Sequence, residues 1–393
     1  MENRVFSNIE RSDFSSAGYS ESTYSYLNRS ARPSAERLRQ LIESWVSQYP
    51  VTERNEIIPR LQSLQDHELN SAFFELYLYQ VLLKMGYEVE IHSSVSEETE
   101  KTPDFIVRNR EEEFILEAVI SHEQTQDEIR SENLLKPVLD KLNEIQSTDF
   151  FIHIDTEGMA NSPIPGRDIR NEILHWLNDL NHDELAPLYF SEGLSKMPSK
   201  KFDFEGITVS ITPIPKNLHR GQVERIIGSR MYGIREVYTK EAIRKSIKRK
   251  ASRYGDMKKP YILAINIMSM SCDRNDEVDA LFGSEQYYYD LNSQDIQPEL
   301  SRKNDGSWSK KRGTRISGVL LVKSLKPWMV VYSNATLYLN PWAKYPYRGN
   351  LRKLPYAEVQ SDGMVHWFGG IEPREMFGLP KNWPESLNDM PNI

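Results

Sequence analysis

The sequence predicts an α/β protein: a mixed sheet flanked by helices, followed by a second, C-terminal α/β domain. Three observations carry that expectation. Between Asp66 and Ile154 the apolar spacing switches from a helical period to an alternating one and back, in the order helix, strand, strand, strand, helix, strand. A chain of 393 residues is long enough for about two domains, each with a core of its own. Its composition, 39% hydrophobic and 27% charged, is that of a folded protein rather than a disordered one.

Taken in order, residues 1–33 are rich in Ser, Asn, Arg and Tyr with little apolar periodicity, and read as a flexible arm. Residues 34–160 form the first domain. Its first helix starts behind Pro33, with Leu38, Leu41, Ile42 and Trp45 on one face, and Pro50 ends it. A second helix falls within Thr52–Leu64, where Pro59 can break or kink it. The third is capped by Asp66 or Asn70, is apolar almost all round from Phe73 to Leu82, and is stopped by Gly86. Tyr87–His92 alternates strictly, with Tyr87, Val89 and Ile91 turned inward. Thr102–Arg108 and Glu113–Ile120 are the next two strands, joined by a polar hairpin at Asn109–Glu112. A helix over Thr125–Gln146, carrying Pro137, and a strand over Asp149–Ile154 complete the order.

Residues 161–393 form the second domain. A helix at Asp168–Leu180 is followed by a hairpin around Phe202–Ile211, while 217–233 fits neither period. A basic helix over Val237–Tyr254 leads into a strand at Pro260–Met268. Asp276–Gly283 ends in Ala-Leu-Phe-Gly, and Asn292–Gly313 reads as a long polar loop. Thr314–Val322 and Met329–Leu339 read as paired strands over a Ser324–Pro327 turn, and the Pro/Trp-rich segment from Asn340 as irregular. There is no internal repeat.

Several classes are excluded. No apolar run approaches the ~20 residues that span a bilayer, so no membrane association is expected. The start, Met-Glu-Asn-Arg-Val-Phe, does not read as a secretory signal. Cys272 stands alone, so no internal disulfide and no zinc-spaced Cys/His cluster is expected, which fits a cytoplasmic location. Cys272 itself reads as a bystander, with a nucleophile as the alternative. The net charge is −8, yet Lys240–Lys259 carries nine Lys/Arg against two acids, a local +7 on a remainder of about −15. Arg244, Lys245, Lys248, Arg249 and Arg253 lie largely off the apolar side of that basic helix and are the candidate nucleic-acid contacts. A solvated basic face is the plain alternative. A second cluster, Lys310, Lys311, Arg312 and Arg315, adjoins Trp308 and could touch a phosphate or stack on a base.

The chemistry concentrates at Pro103-Asp104 and Phe114-Ile-Leu-Glu117-Ala-Val119. Asp104 and Glu117 are thirteen residues apart, the span of one hairpin, which brings adjacent strands to about 5 Å. Two such carboxylates, with Glu75 on the upstream helix, can hold a divalent cation against a phosphodiester. A Pro-Asp turn and a lone Glu in a strand are also common without any such role.

These residues and the element order resemble the PD-(D/E)XK nuclease superfamily, whose core is restriction-endonuclease-like. The resemblance implies Asp104 and Glu117 as metal ligands and catalytic residues, the Ala118 carbonyl as a further ligand, Glu75 as a supporting ligand, and Mg²⁺, or Mn²⁺ in its place, as cofactor. The sequence departs from the pattern at the E-x-K lysine, which is Val119. Glu117 and Val119 share a strand face, and valine neither moves a proton nor stabilises phosphoryl charge. Its loss would cost about 10²–10⁴ in rate unless another residue substitutes. Lys136 on the following helix is the first candidate for that catalytic place, with Lys101 and His92 behind it. The segments Lys250-x-x-Arg253-Tyr254-Gly255, Pro260–Asn266, Ala280–Gly283 and Asn340–Ala343 are similar to a bacterial family with a variant E-A-x motif, a likeness that names no activity.

The expected function is therefore a metal-dependent DNA endonuclease in restriction or anti-phage defence. DNA is the expected partner, with RNA open. So are a homodimer and a partner protein. The alternatives are a catalytically silent DNA-binding module of the same fold and a regulatory subunit whose basic helix meets an acidic protein.

Overall fold

The computed structural model describes residues 4–93, 102–223, 225–232, 238–251, 253–254, 257–269, 271–289, 298–361 and 364–385. Helices α1 (Thr23–Arg29), α2 (Pro33–Gln48), α3 (Arg54–Leu61) and α4 (Asp66–Lys84) precede strands β1 (Glu88–Ile91), β2 (Phe105–Arg108) and β3 (Glu113–His122). Then come α5 (Gln126–Leu142), β4 (Phe150–Gly158), α6 (Gly166–Asp179), α7 (His182–Glu192), β5 (Lys200–Phe204), β6 (Ile207–Pro215) and β7 (Ile227–Tyr232). The remainder is α8 (Thr239–Ala251), β8 (Tyr261–Met268), α9 (Arg274–Phe282), β9 (Glu285–Tyr289), β10 (Pro298–Arg302), β11 (Gly318–Lys323), β12 (Ala335–Leu339), β13 (Tyr356–Val359), β14 (Val365–Phe368) and α10 (Pro373–Met376).

The chain divides into two compact units. One comprises Met1–Ser15, Ser22–Glu123 and Val237–Ile393, the other Ser16–Glu21 and Gln124–Glu236. The division expected after residue 160 is thus not the one the fold makes: the chain leaves the first unit after β3 and rejoins it at α8. Sequence periodicity marks where strands lie but not which sheet takes them, so a boundary inside an α/β pattern carries no local signal.

The first unit is built on a mixed eight-stranded sheet, in the order β1-β2-β3-β8-β11-β12-β13-β14. β1, β2 and β3 run antiparallel in sequence, β8 lies parallel to β3, and β11 lies parallel to β8. β12 closes on β11 antiparallel, as the Ser324–Pro327 turn predicted. The Pro/Trp-rich end expected to be irregular supplies β13 and β14, two short strands that extend the sheet. One face is buried under α8: Ile115 and Val119 of β3 join Leu263, Ile265 and Ile267 of β8, and Ile243 and Ile247 of α8, in a single core cluster. α4 packs against β1 and β3. It starts with Asp66 and Glu68 in its first turn, where acids favour the helix dipole. It ends at Gly86, whose left-handed φ of 82° lets Tyr87 N–H close on Leu82 O.

Residues 4–33 are not a loose arm. Val5, Phe6 and Leu27 are buried, α1 is capped by Ser22, and the Val5 and Phe6 N–H groups donate to Glu43 Oε1 at 3.0 and 2.8 Å. The anchors are too sparse to make a period, which is why the sequence concealed them.

The second unit packs a four-stranded sheet, β5-β6-β4-β7, under α5 and α6. Leu135, Val138, Leu139 and Leu142 meet Ile152, Ile154, Ile169 and Ile173 in its core. α5 opens on a capping box from Thr125 to Glu128 and continues through Pro137. The strand expected to complete the first sheet is β4, and it belongs here instead. The place beside β3 is taken by β8, reached through α8.

Candidate metal and phosphate site

Asp104 stands one residue before β2 and Glu117 in the middle of β3. The pairing of Phe105 with Leu116 sets them side by side. Ala118 N–H donates to Asp104 Oδ2 at 2.7 Å, and Asp104 N–H faces Glu117 Oε2 at 3.4 Å. The Glu117 side chain is fully buried, so its charge must be compensated by protein groups.

The end of α8 supplies that compensation. Ile115, Glu117 and Val119 share the strand face that α8 covers, and Lys250 follows Ile247 by three residues, on the same side of the helix. Lys250 Nζ donates to Glu117 Oε1, and Arg253 Nη1 donates to the same oxygen at 2.8 Å. Tyr254 Oη donates to Oε2 at 2.5 Å and lies 3.1 Å from Thr102 O. The Tyr254 ring stands edge-on to Tyr261, which fixes its approach. Burial, then the bonded Glu117 carboxylate, push the Tyr254 hydroxyl up, so it keeps its proton.

Glu75, on α4, is held by Arg60 of α3: Nη1 to Oε2 at 2.7 Å and Nη2 to Oε1 at 2.5 Å, a bidentate pair. Glu75, Asp104, Ala118, Val119, Lys250 and Arg253 all line one open cleft of about 620 Å³. His67, Ser71, His122 and Arg249 stand around it. Burial, then the Glu117 and Glu75 carboxylates, push the Asp104 carboxyl up to about 7, against the opposing pull of the Ala118 N–H and Lys250.

The structure thus brings Asp104, Glu117 and Glu75 together as the sequence predicted, with Val119 beside them. Lys136 is not among the lining residues. It lies on α5 in the second unit, where Nζ donates to Asn133 Oδ1 at 3.0 Å. The reason is the insertion: the helix that follows β3 in sequence does not cross back to its sheet. Lys101 lies outside the described residues. His92 instead places Nδ1 3.6 Å from Glu53 Oε2 and 3.4 Å from Glu56 Oε2, a second grouping of oxygen and nitrogen donors.

Of the proposed nucleic-acid contacts, Lys245, Lys248, Arg249 and Arg253 are exposed, and the last two line the cleft. Arg244 is engaged elsewhere, on Asp279 O at 2.8 Å and beside Glu241 and Asp305. Trp308 is buried against Phe282 and cannot stack on a base. Burial, then Glu277, push the Cys272 thiol up to about 12, which rules against a nucleophile.

Lys250, Tyr254 and Arg60 escaped the sequence reading as site residues. The available signal was Lys250-x-x-Arg253-Tyr254, cations and a hydroxyl at i, i+3 and i+4 where a basic helix hands over to an apolar strand. No protein-family model, curated protein or solved structure matches the chain. Among the described residues, no helix is long and apolar enough to cross a membrane.

Proposed function

We propose that this chain is a metal-dependent DNA endonuclease of the PD-(D/E)XK type, its restriction-endonuclease-like core running α4-β1-β2-β3-α8-β8 and the second unit inserted between β3 and α8. The carrying observation is the pairing of Asp104, which lines an open cleft, with the buried Glu117 on the adjacent antiparallel strand, with Lys250 of the same cleft against Glu117. With β8 in place of β4, the order helix, strand, strand, strand, helix, strand is met within a single unit, which supports the reading.

The donor set fits a hard divalent ion: the carboxylates of Asp104 and Glu117, with the Ala118 carbonyl as a further oxygen. Mg²⁺ or Mn²⁺ held there would polarise a phosphoryl oxygen and acidify water. Glu75, its oxygens engaged by Arg60, contributes negative charge to the cleft rather than a free ligand atom. Lys250 does what Val119 cannot. Its Nζ carries a proton at the cleft and can stabilise charge on the phosphoryl group or protonate the leaving oxygen. Arg249 and Arg253 neutralise the phosphates beside it, and Lys245 and Lys248 extend that positive face along α8. Restriction or anti-phage defence is the setting such an activity suits, by analogy alone.

The test is incubation of the purified protein with supercoiled plasmid, linear DNA and RNA in Mg²⁺ or Mn²⁺, beside Asp104→Ala and Glu117→Ala. Cutting of DNA that both substitutions abolish is the expected result. Cutting that survives both would refute the site, and cutting of RNA in preference to DNA would correct the substrate.

One observation favours a second reading, the catalytically silent DNA-binding module. Glu117 already accepts from Lys250, Arg253 and Tyr254, a self-contained ion pair in which cations stand where a metal would. Retention of DNA with no cutting in any metal selects it.

A further inference from the structure

We infer that Arg253 makes metal binding conditional on the substrate: it occupies a ligand position on Glu117 and leaves it when a phosphodiester enters the cleft. The inference rests on the nuclease reading and adds an order of events to it.

An ionised carboxylate offers about four lone-pair sites. On Glu117 Oε1 they face Lys250 Nζ and Arg253 Nη1, and on Oε2 they face Tyr254 Oη and the Asp104 N–H. Each site has a donor, so a cation can ligate Glu117 only after one donor withdraws. A divalent ion at Oε1 would also stand against two positive charges, an unfavourable arrangement in a partly desolvated cleft.

The four donors differ in freedom. The Asp104 N–H is fixed in the backbone beside β2. Tyr254 is buried, with its ring seated on Tyr261. The Lys250 side chain is 13% exposed, the Arg253 side chain 40%. Arg253 lies past the last residue of α8, faces the cleft, and otherwise rests its guanidinium 5.4 Å from the Tyr254 ring centre. It is therefore the donor that can pivot outward with little rearrangement. A phosphate gives it a reason to do so: guanidinium pairs with phosphate in the same bidentate geometry as with carboxylate, and the phosphate is met at the open side of the cleft. One move would free one lone-pair site on Oε1, remove one of its two positive neighbours, and bring in the negative charge of the substrate.

Metal and phosphodiester would then bind with positive coupling through this residue, and the coupling must be reciprocal. Metal would be poorly held by the free protein, which limits chemistry without substrate. The lysine stays on Glu117, so the proton-bearing group remains in place while the arginine changes partner.

The experiment is Mn²⁺ titration, read by electron paramagnetic resonance, of wild type, Arg253→Gln and Asp104→Ala. Each is measured alone and with a phosphorothioate duplex that resists cleavage. The expected result is weak Mn²⁺ binding by wild type alone and about tenfold tighter or more with the duplex, in the usual range of coupling between sites. Arg253→Gln binds Mn²⁺ tightly without the duplex and gains little from it. Far-ultraviolet circular dichroism of the variant, expected to match wild type, separates this from misfolding. Arg253→Lys, which keeps the charge, restores weak binding alone. If wild type binds Mn²⁺ equally with and without duplex, and Asp104→Ala abolishes that binding, the inference is overturned while the metal site stands. If neither wild type nor Arg253→Gln binds Mn²⁺ in an Asp104-dependent way under either condition, the inference and the nuclease reading fail together.

Discussion

Two glutamates in the first unit are equally hidden and differently placed. Glu117 on β3 takes Lys250 and the Tyr254 hydroxyl. Glu277 on α9, 1% exposed, takes Lys323 Nζ at 2.8 Å and the Tyr338 hydroxyl. The Tyr338 oxygen in turn accepts from Trp367 Nε1 at 3.3 Å. Each is a carboxylate, a lysine and a tyrosine within one core cluster's reach, and nothing in that inventory separates them. The surroundings do. Glu117 has a second carboxylate beside it, Asp104, which shares an open cleft with Glu75 and with Arg249, Lys250 and Arg253. Among the described residues, Glu277 is paired with one cation, Lys323 at the end of β11, and takes a hydroxyl from Tyr338 of the neighbouring β12. A buried Glu–Lys pair is therefore weak ground for a catalytic assignment. Like charges crowded beside an open cleft are stronger ground.

The largest test of this contrast is a pair of substitutions. Glu117→Gln should lose metal binding and cleavage together, by more than the roughly 10–100-fold that a supporting residue costs. Glu277→Gln should leave cleavage per folded molecule unchanged while lowering stability toward the lower end of about 3–5 kcal/mol, because Lys323 loses its charge partner but keeps the Cys272 carbonyl and stays partly solvated. Denaturant unfolding measured beside the cleavage assay tells the two apart. If both variants lost activity at unchanged stability, the distinction drawn between the sites would collapse.

A smaller effect is expected from pH. Asp104, raised to about 7 mainly by burial and by Glu117 and Glu75, must ionise to ligate a cation, so Mn²⁺ affinity should rise as pH climbs through about 7. The same shift acts oppositely on the metal-free fold. A carboxyl that binds its proton more tightly folded than unfolded gives up stability as pH rises from the ordinary carboxylate range to about 7. Asp104→Asn should flatten both profiles, and titration with calorimetry on each side of that window checks it.

Least of all, Lys248→Ala and Arg249→Ala should each weaken DNA binding evenly across sequences and reduce the salt slope by about one. Arg244→Ala should leave that slope alone, since its guanidinium is taken by Asp279 O and flanked by Glu241 and Asp305. Fluorescence anisotropy over a salt series reads both.

The acids of the cleft were legible because they sit on one hairpin. The short polar hairpin at Asn109–Glu112 joins the two apolar strands, and their register sets Asp104 against Glu117. The cation opposite them was not legible, because 133 residues and a whole inserted unit separate Lys250 from Glu117. The helix and strand next in sequence satisfied the expected order, and periodicity holds nothing to say that α5 and β4 pack on a different sheet. Val119 becomes intelligible only with α8 in place: at 7% exposure it fills the core under Ile243 and Ile247, where a lysine would displace apolar packing. The short β13 and β14 were lost for another reason, since Pro and Trp density masks alternation in four-residue strands.

The central claim is that Lys250, from the far side of the insertion, stands in for the lysine that Val119 replaces. Single-turnover cleavage of plasmid DNA in saturating Mg²⁺ by wild type, Lys250→Ala and Lys136→Ala tests it most directly. The account predicts a loss of about 10²–10⁴ in rate for Lys250→Ala and an unchanged rate for Lys136→Ala. A Lys250→Ala protein that cuts like wild type, or a Lys136→Ala protein that does not cut, would contradict it.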